Sequence, residues 1–214
     1  MSVDHIAFLV EERSMEDALQ LLVPKVLGAR TFEIHTHRGK PDLLARLPGR
    51  LLGYSSWIPK TWRIVVVVDR DNDECTELKA RLERMATDAG LLTRSTATTM
   101  PFVVVNRIAV EELEAWYFGD WKAVCAAYPK VASTVPAKAG TRDPDAITGG
   151  TWEVFERVLQ DAGYFKTGLR KIEAARAVAA HMDPGRNTSK SFQVFRDALN
   201  GTSARRRGQH QVEM

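Results

Sequence analysis

VVVVDRDNDEC, Val65 to Cys75, places four consecutive valines directly before three carboxylates at alternate positions, Asp69, Asp71 and Asp73. A β-branched run without polar alternation reads as a strand buried on both faces, the habit of a parallel sheet. Its acidic end needs a separate explanation, because two carboxylates about 4 Å apart repel by roughly 1–4 kcal/mol at partly solvated sites. A divalent cation reverses the sign of that interaction. The stretch therefore points to a hard-oxygen site for Mg2+ or Mn2+ at the carboxyl end of a strand.

The same pattern recurs on either side. HIAFLV (5–10) is an apolar run ending at Glu11 and Glu12, ARTFEIHTH (29–37) alternates as a strand, and PFVVVNRIAV (101–110) runs into Glu111, Glu112 and Glu114. Helical periodicity fills the gaps. Ser14 reads as an N-cap with Asp17 in the capping-box position, and Leu19, Leu22, Val23, Val26 and Leu27 lead to a stop at Gly28, with a kink at Pro24. DLLARLPGRLLGY is helical but interrupted by Pro48 and Gly49, and a third helix is predicted over 73–89, with Leu78, Leu82 and Met85 on one side. Alternation of this kind predicts an α/β fold, a mostly parallel four-stranded sheet flanked by helices over residues 1–120. A helical extension over 121–200 should pack on that core, with helices near 121–128, 151–162, 168–181 and 189–199 and a Pro/Gly/Thr-rich loop at 133–151. GTSARRRGQHQVEM, the tail over 201–214, has no apolar periodicity and is expected to be disordered.

Composition narrows the function classes. The chain has 214 residues, 44% of them hydrophobic and 27% charged, enough for one sizeable core. Net charge is +3, and Arg205, Arg206 and Arg207 against Glu213 supply +2 of it, so the body is nearly neutral and any nucleic-acid face must come from local clustering. Cys75 and Cys125 form neither a CxxC pair nor a disulfide framework, which fits a reducing cytoplasm. The apolar run at Ile6–Val10 is too short for a signal sequence, and nothing approaches a membrane span.

In open parallel sheets, ligands bind beyond the carboxyl ends of the strands, where these acids collect. The candidate metal ligands are Glu11, Asp69, Asp71, Asp73, Glu112 and Glu114. Asp73 is equally a candidate helix N-cap, and Glu111 and Glu112 suit a first helical turn whatever else they do. Lys40, in a Gly-Lys loop on the same edge, is placed to meet a phosphate or stabilise developing charge, against a plain reading as an exposed loop lysine. Lys166, Arg170, Lys171 and Arg176 form a basic stripe assigned to a later helix, suited to a nucleic-acid backbone or simply to solvent. DRDNDE is not an EF-hand loop, since Glu74 occupies the sixth position where glycine is needed and Ala80 the twelfth where glutamate is needed. A dehalogenase-type phosphatase would carry its DxD after the first strand. No GxGxxG or GxxxxGK[ST] occurs. A DxD glycosyltransferase stays open. The histidines lack metal spacing, and the five tryptophans read mainly as packing.

Glutamate after the first strand, DxD after the third and further acids after the fourth is an order that resembles the Toprim domain of topoisomerases, primases, small nucleases and OLD (overcoming lysogenization defect) nucleases. The likeness spans LVEERSMEDAL, GKPDLL, VVVVDRDND, RIAVEELEAWYFGD, RDPDAITGGTWE, GYFKTGLRKIEAARAVAAHMDP and SFQVFRDAL. It is nearest to a prokaryotic family of Toprim-like proteins often encoded beside an ATPase in defence loci. The resemblance implies a Toprim-like (Rossmann-like) fold and a Mg2+-dependent nuclease acting on DNA or RNA, with nucleic acid and an ATPase as partners. Glu11 then takes the place of the Toprim glutamate, Asp69 and Asp71 that of the DxD, and Glu112 and Glu114 that of the acidic pair. Two departures stand out: Glu12 replaces the glycine of the usual turn, and Met15 occupies the position of a second acid, with Glu16 one residue later. The alternatives are nucleotidyl or phosphoryl transfer to a small nucleotide, and a catalytically silent subunit that holds a metal. The chain is too short for a strand-passing topoisomerase and shows no tyrosine domain.

Overall fold

Four strands, β1 (His5–Val10), β2 (Thr31–Thr36), β3 (Trp62–Asp69) and β4 (Val104–Ala109), pair in parallel in the order β2-β1-β3-β4 in a computed structural model describing residues 2–98 and 101–201. The helices are α1 (Arg13–Leu27), α2 (Lys40–Ser55), α3 (Cys75–Asp88), α4 (Leu113–Gly119), α5 (Trp121–Ala127), α6 (Thr151–Asp161), α7 (Lys171–His181) and α8 (Lys190–Asn200). The fold is α/β, as the strand pattern predicts. Val65 to Val68 are all fully buried, because side chains alternate across the sheet and both faces are covered. Phe8, Val10, Val65, Val67 and Val105 meet α1 and a continuous cluster that extends through α4 to α8. Ala7, Leu9, Ile64, Val66 and Val68 meet α2 and α3 on the other face. Trp116 of α4 stacks on Phe195 of α8 with ring centroids 5.0 Å apart, so the later helices share the sheet's core.

Several boundaries differ from the sequence expectation. Glu12, not Ser14, precedes α1, and the Ser14 hydroxyl donates back to the Glu12 carboxylate. Glu74 caps α3 by accepting from the Glu77 amide at 2.8 Å, so Asp73 is no cap. α2 passes through Pro48 and Gly49 unbroken, since Leu43, Leu47, Leu51 and Tyr54 keep one face buried and tertiary packing outweighs local propensity. β4 starts at Val104, later than the sequence run suggests, and the amides of Val103 and Val104 both donate to the Leu92 carbonyl. α7 starts at Lys171, since Gly168 has φ +120°, outside helical space. Three short 3-10 turns, at 135–137, 139–141 and 144–146, occupy the loop before α6. The expected disordered tail lies, from residue 202 on, outside the described residues. Among the described residues no helix is long and apolar enough to cross a membrane.

This topology fixes where a ligand can sit. β1 leads into α1 on one face of the sheet, whereas β3 leads into α3 on the other. The two connections diverge between neighbouring central strands and leave a crevice at their carboxyl ends, a topological switch point.

Candidate active site

Glu11 and Asp69 stand at that switch point. Glu11 follows β1 and Asp69 ends β3, and the Glu11 Oε1 accepts a hydrogen bond from the Asp69 amide at 2.6 Å. Both side chains are buried, and the Asp69 Oδ1 has no hydrogen-bond partner. Glu114 comes from the first turn of α4 and is also buried. Burial raises the Asp69 carboxyl well above its ordinary value, and the charges of Glu11 and Glu114 raise it further. Burial likewise pushes Glu11 up to about 7, against the opposing effects of the Asp69 amide and the Lys40 charge. Glu114 rises to about 7 through burial, opposed mainly by Lys171. Three acids from distant parts of the chain are thus raised chiefly by burial, and at Asp69 the charges of the other two add to it. Such elevation is characteristic of sites built for a cation or for proton transfer.

The other predicted acids are drawn elsewhere. Asp71 adopts φ +48°, a left-handed conformation that aspartate tolerates, because its amide is held by the Glu111 carbonyl at 3.0 Å. Its carboxylate lies 2.7 Å from the Lys40 Nζ, and that of Asp73 lies 2.8 Å away. Lys40 begins α2 behind Gly39, whose φ of +88° allows the loop to fold back and donate to the Glu11 carbonyl at 2.9 Å. Burial pulls the Lys40 ammonium down, but its bonds to Asp71 and Asp73 win and hold it above its ordinary value. Glu112 accepts from the Trp152 amide at 2.9 Å and so serves the N-terminus of α6, and Glu111 pairs with Arg70. Glu16 accepts from the Thr36 hydroxyl and pairs with Arg13 at 3.3 Å.

The basic stripe is not one surface. Lys166 and Arg170 precede α7. Arg170 lies over the Phe165 ring and pairs with Glu173, and Arg176 pairs with Asp17 at 3.2 Å. Lys171 alone faces the acids. Burial lowers its ammonium, yet Glu114, Glu12, Glu112 and Asp69 raise it overall, and its Nζ rests 5.0 Å from the Trp152 ring centroid. Sequence reasoning placed Lys171 among backbone-tracking cations and missed that it balances Glu114, because no local pattern links α4 to α7.

Among the described residues, no three His, Cys, Asp or Glu side chains are grouped to hold a metal by themselves. Mg2+, however, typically takes one or two protein carboxylates and completes its shell with water and substrate phosphate. Glu11 and Asp69, hard oxygen donors with one buried oxygen unpartnered, fit that role.

A family model described as a domain of unknown function, DUF4276, matches residues 10–200, which include every acid of the site. The chain belongs to the DUF4276 family. Among solved structures, the C-terminal region of the Burkholderia pseudomallei OLD protein aligns at 15% identity with a TM-score of 0.42, covering 93% of this chain and 100% of that one. No curated protein matches.

Proposed function

We propose that this DUF4276 protein is a metal-dependent phosphodiesterase that cuts DNA or RNA at the β1/β3 switch point. One observation carries the reading: Glu11, Asp69 and Glu114 are buried together with raised pKa values, and the Asp69 Oδ1 has no partner. Glu11 and Asp69 would hold Mg2+ or Mn2+, with Asp71 and Glu114 the next carboxylates in reach of the same field. When bound, the metal lowers the pKa of its water and polarises a phosphoryl oxygen. Glu114, poised near neutrality, is suited to take a proton from an attacking water. Lys40 and Lys171 flank the acids from opposite sides of the sheet and are the cations placed to meet phosphate oxygens. Asp73 and Glu112 act as partners of Lys40 and of the α6 N-terminus in this scheme. The resemblance noted above extends the proposal to an ATPase partner that gates cleavage in a defence system.

Incubating the full chain with plasmid, single-stranded DNA and tRNA in Mg2+ or Mn2+ tests the reading. Cleavage by wild type that is lost in Asp69→Asn is expected, and cleavage that survives this substitution would refute the assignment. Turnover of a nucleotide without strand cleavage would move the protein to nucleotidyl or phosphoryl transfer. Metal binding in calorimetry with neither activity, even beside its ATPase, would make it a silent metal-holding subunit.

A further inference from the structure

α1 and α7 pack side by side and both begin beside the candidate active site. A groove of about 440 Å3 opens between their first turns, lined by Arg13 and Ser14 on one side and by Leu169, Arg170, Lys171 and Ile172 on the other. Lys171 joins the groove to the acids. Its ammonium lies over the Trp152 ring with no carboxylate at ion-pair distance among the described residues, while Glu114, Glu12, Glu112 and Asp69 act on it from further off. Arg13 and Arg170 face solvent, with side chains 58% and 69% exposed, and each holds an acid of its own helix, Glu16 at 3.3 Å and Glu173 at 3.0 Å. Exposed pairs at this spacing are weak and screened by salt, so a phosphate can take the guanidinium from the carboxylate. Glu12 is the one carboxylate of the lining. It accepts from the Ser14 hydroxyl and its charge bears on Asp69 and Glu114, which puts it at the inner end.

Two further features suit bases rather than phosphates. Leu169 and Ile172 give the groove an apolar wall, and Ile172 is 41% exposed there. The Arg170 guanidinium lies 5.2 Å from the Phe165 ring centroid. A guanidinium seated on a ring presents its opposite face to a second flat group, as it does to unpaired bases. We propose that this groove admits a single, unpaired nucleic-acid strand and leads it to the acids at the switch point. Its phosphates meet Arg13 and Lys171, and a base stacks on the Arg170 plane against Ile172 and Leu169. A duplex keeps its bases stacked inward and would leave the apolar wall wet, whereas an unpaired strand covers both kinds of surface. The volume, in the lower half of the ~300–1,000 Å3 range of small-ligand pockets, holds a nucleotide unit and no double helix. Nucleic acid as substrate is taken from the proposed function; the groove narrows it to an unpaired strand.

Fluorescence anisotropy of a labelled oligonucleotide, single-stranded or as its blunt duplex, titrated with the full chain in EDTA at low salt, tests this without metal or cleavage. The single strand should bind about tenfold or more tightly than the duplex. Arg170→Lys keeps the charge and loses the plane, and Ile172→Asp puts a charge on the apolar wall. Each position is exposed, and each substitution should weaken the single strand about fivefold or more while leaving the duplex nearly unchanged. Lys60→Glu, an exposed charge reversal at the amino end of β3, should leave both nearly unchanged. A duplex bound as tightly as the single strand, no binding of the single strand, wild-type affinity in both Arg170→Lys and Ile172→Asp, or an equal loss in Lys60→Glu would each overturn the proposal. Single-strand binding without cleavage would refute the nuclease reading and leave the groove standing, and Asp69-dependent cleavage with a preference for duplex would do the reverse.

Discussion

Replacing Glu114 by glutamine should stabilise the metal-free protein, and should do so only towards alkaline pH. In the folded chain burial holds the Glu114 carboxyl at about 7, against 4.5 for a free glutamate. Between these values the native state binds a proton that the unfolded state has lost, so the group's contribution to stability is full below pH 4.5 and drains away as pH rises through 7. At ~1.4 kcal/mol per pH unit, the gap amounts to about 3 kcal/mol by pH 8, an upper figure because neighbours relax around an ionised group. Glutamine is nearly the same size and carries no charge, so Glu114→Gln removes this slope. It also relieves Asp69, whose own elevation is partly due to the Glu114 charge. Urea unfolding followed by tryptophan fluorescence, in EDTA at pH 5, 6, 7 and 8, measures the effect. Wild type and variant should nearly coincide at pH 5, and the variant should lead by at least about 1 kcal/mol at pH 8. A gap that does not grow with pH, or a variant less stable than wild type at pH 8, would refute the claim that burial holds the Glu114 carboxyl well above its ordinary value. Under the proposed function, Mg2+ added at pH 8 narrows the gap, because a ligand of the native state stabilises wild type.

Two structural substitutions test the joins among the helices. The Lys25 Nζ donates to the carbonyls of Ala179, Ala180 and Met182 at 2.8, 3.0 and 2.7 Å, so Lys25→Met strips the C-terminus of α7 of its cation and should cost about 1 kcal/mol, read as a lower urea midpoint. A Cβ on Gly119 would lie 2.1 Å from the Asn187 Oδ1 and 2.7 Å from the Ser189 amide, which is backbone and cannot step aside. Gly119→Ala should therefore destabilise by about 1–3 kcal/mol, and an unchanged melting temperature would show that α4 and the α8 entry loop are not locked together.

The valine run, the apolar run over 6–10 and the alternation with helices are short-range patterns, and each became a strand or helix near the expected place. Boundaries lay elsewhere in places, as at β4, where the amides of Val103 and Val104 both donate to the Leu92 carbonyl. Pro48 misled because the sheet pays for the lost helix bond through the leucines on either side of it. Asn106 left a legible trace, a polar residue inside PFVVVNRIAV, but its partner, the Glu83 carboxylate of α3, lies outside any window of sequence around it.

Local chemistry alone determined that strands here end in carboxylates, because strand period and β-branched composition are properties of a few adjacent residues. It could not rank those carboxylates. Which of them turn inward was decided by the parallel packing order, which sets β1 beside β3 and brings Glu11 to the Asp69 amide from 58 residues away. Partners equally remote settled the rest: Lys40 for Asp71 and Asp73, the α6 amide for Glu112, and Lys171 for Glu114. Burial and charge are sums over neighbours in space, and the fold alone assigns those neighbours.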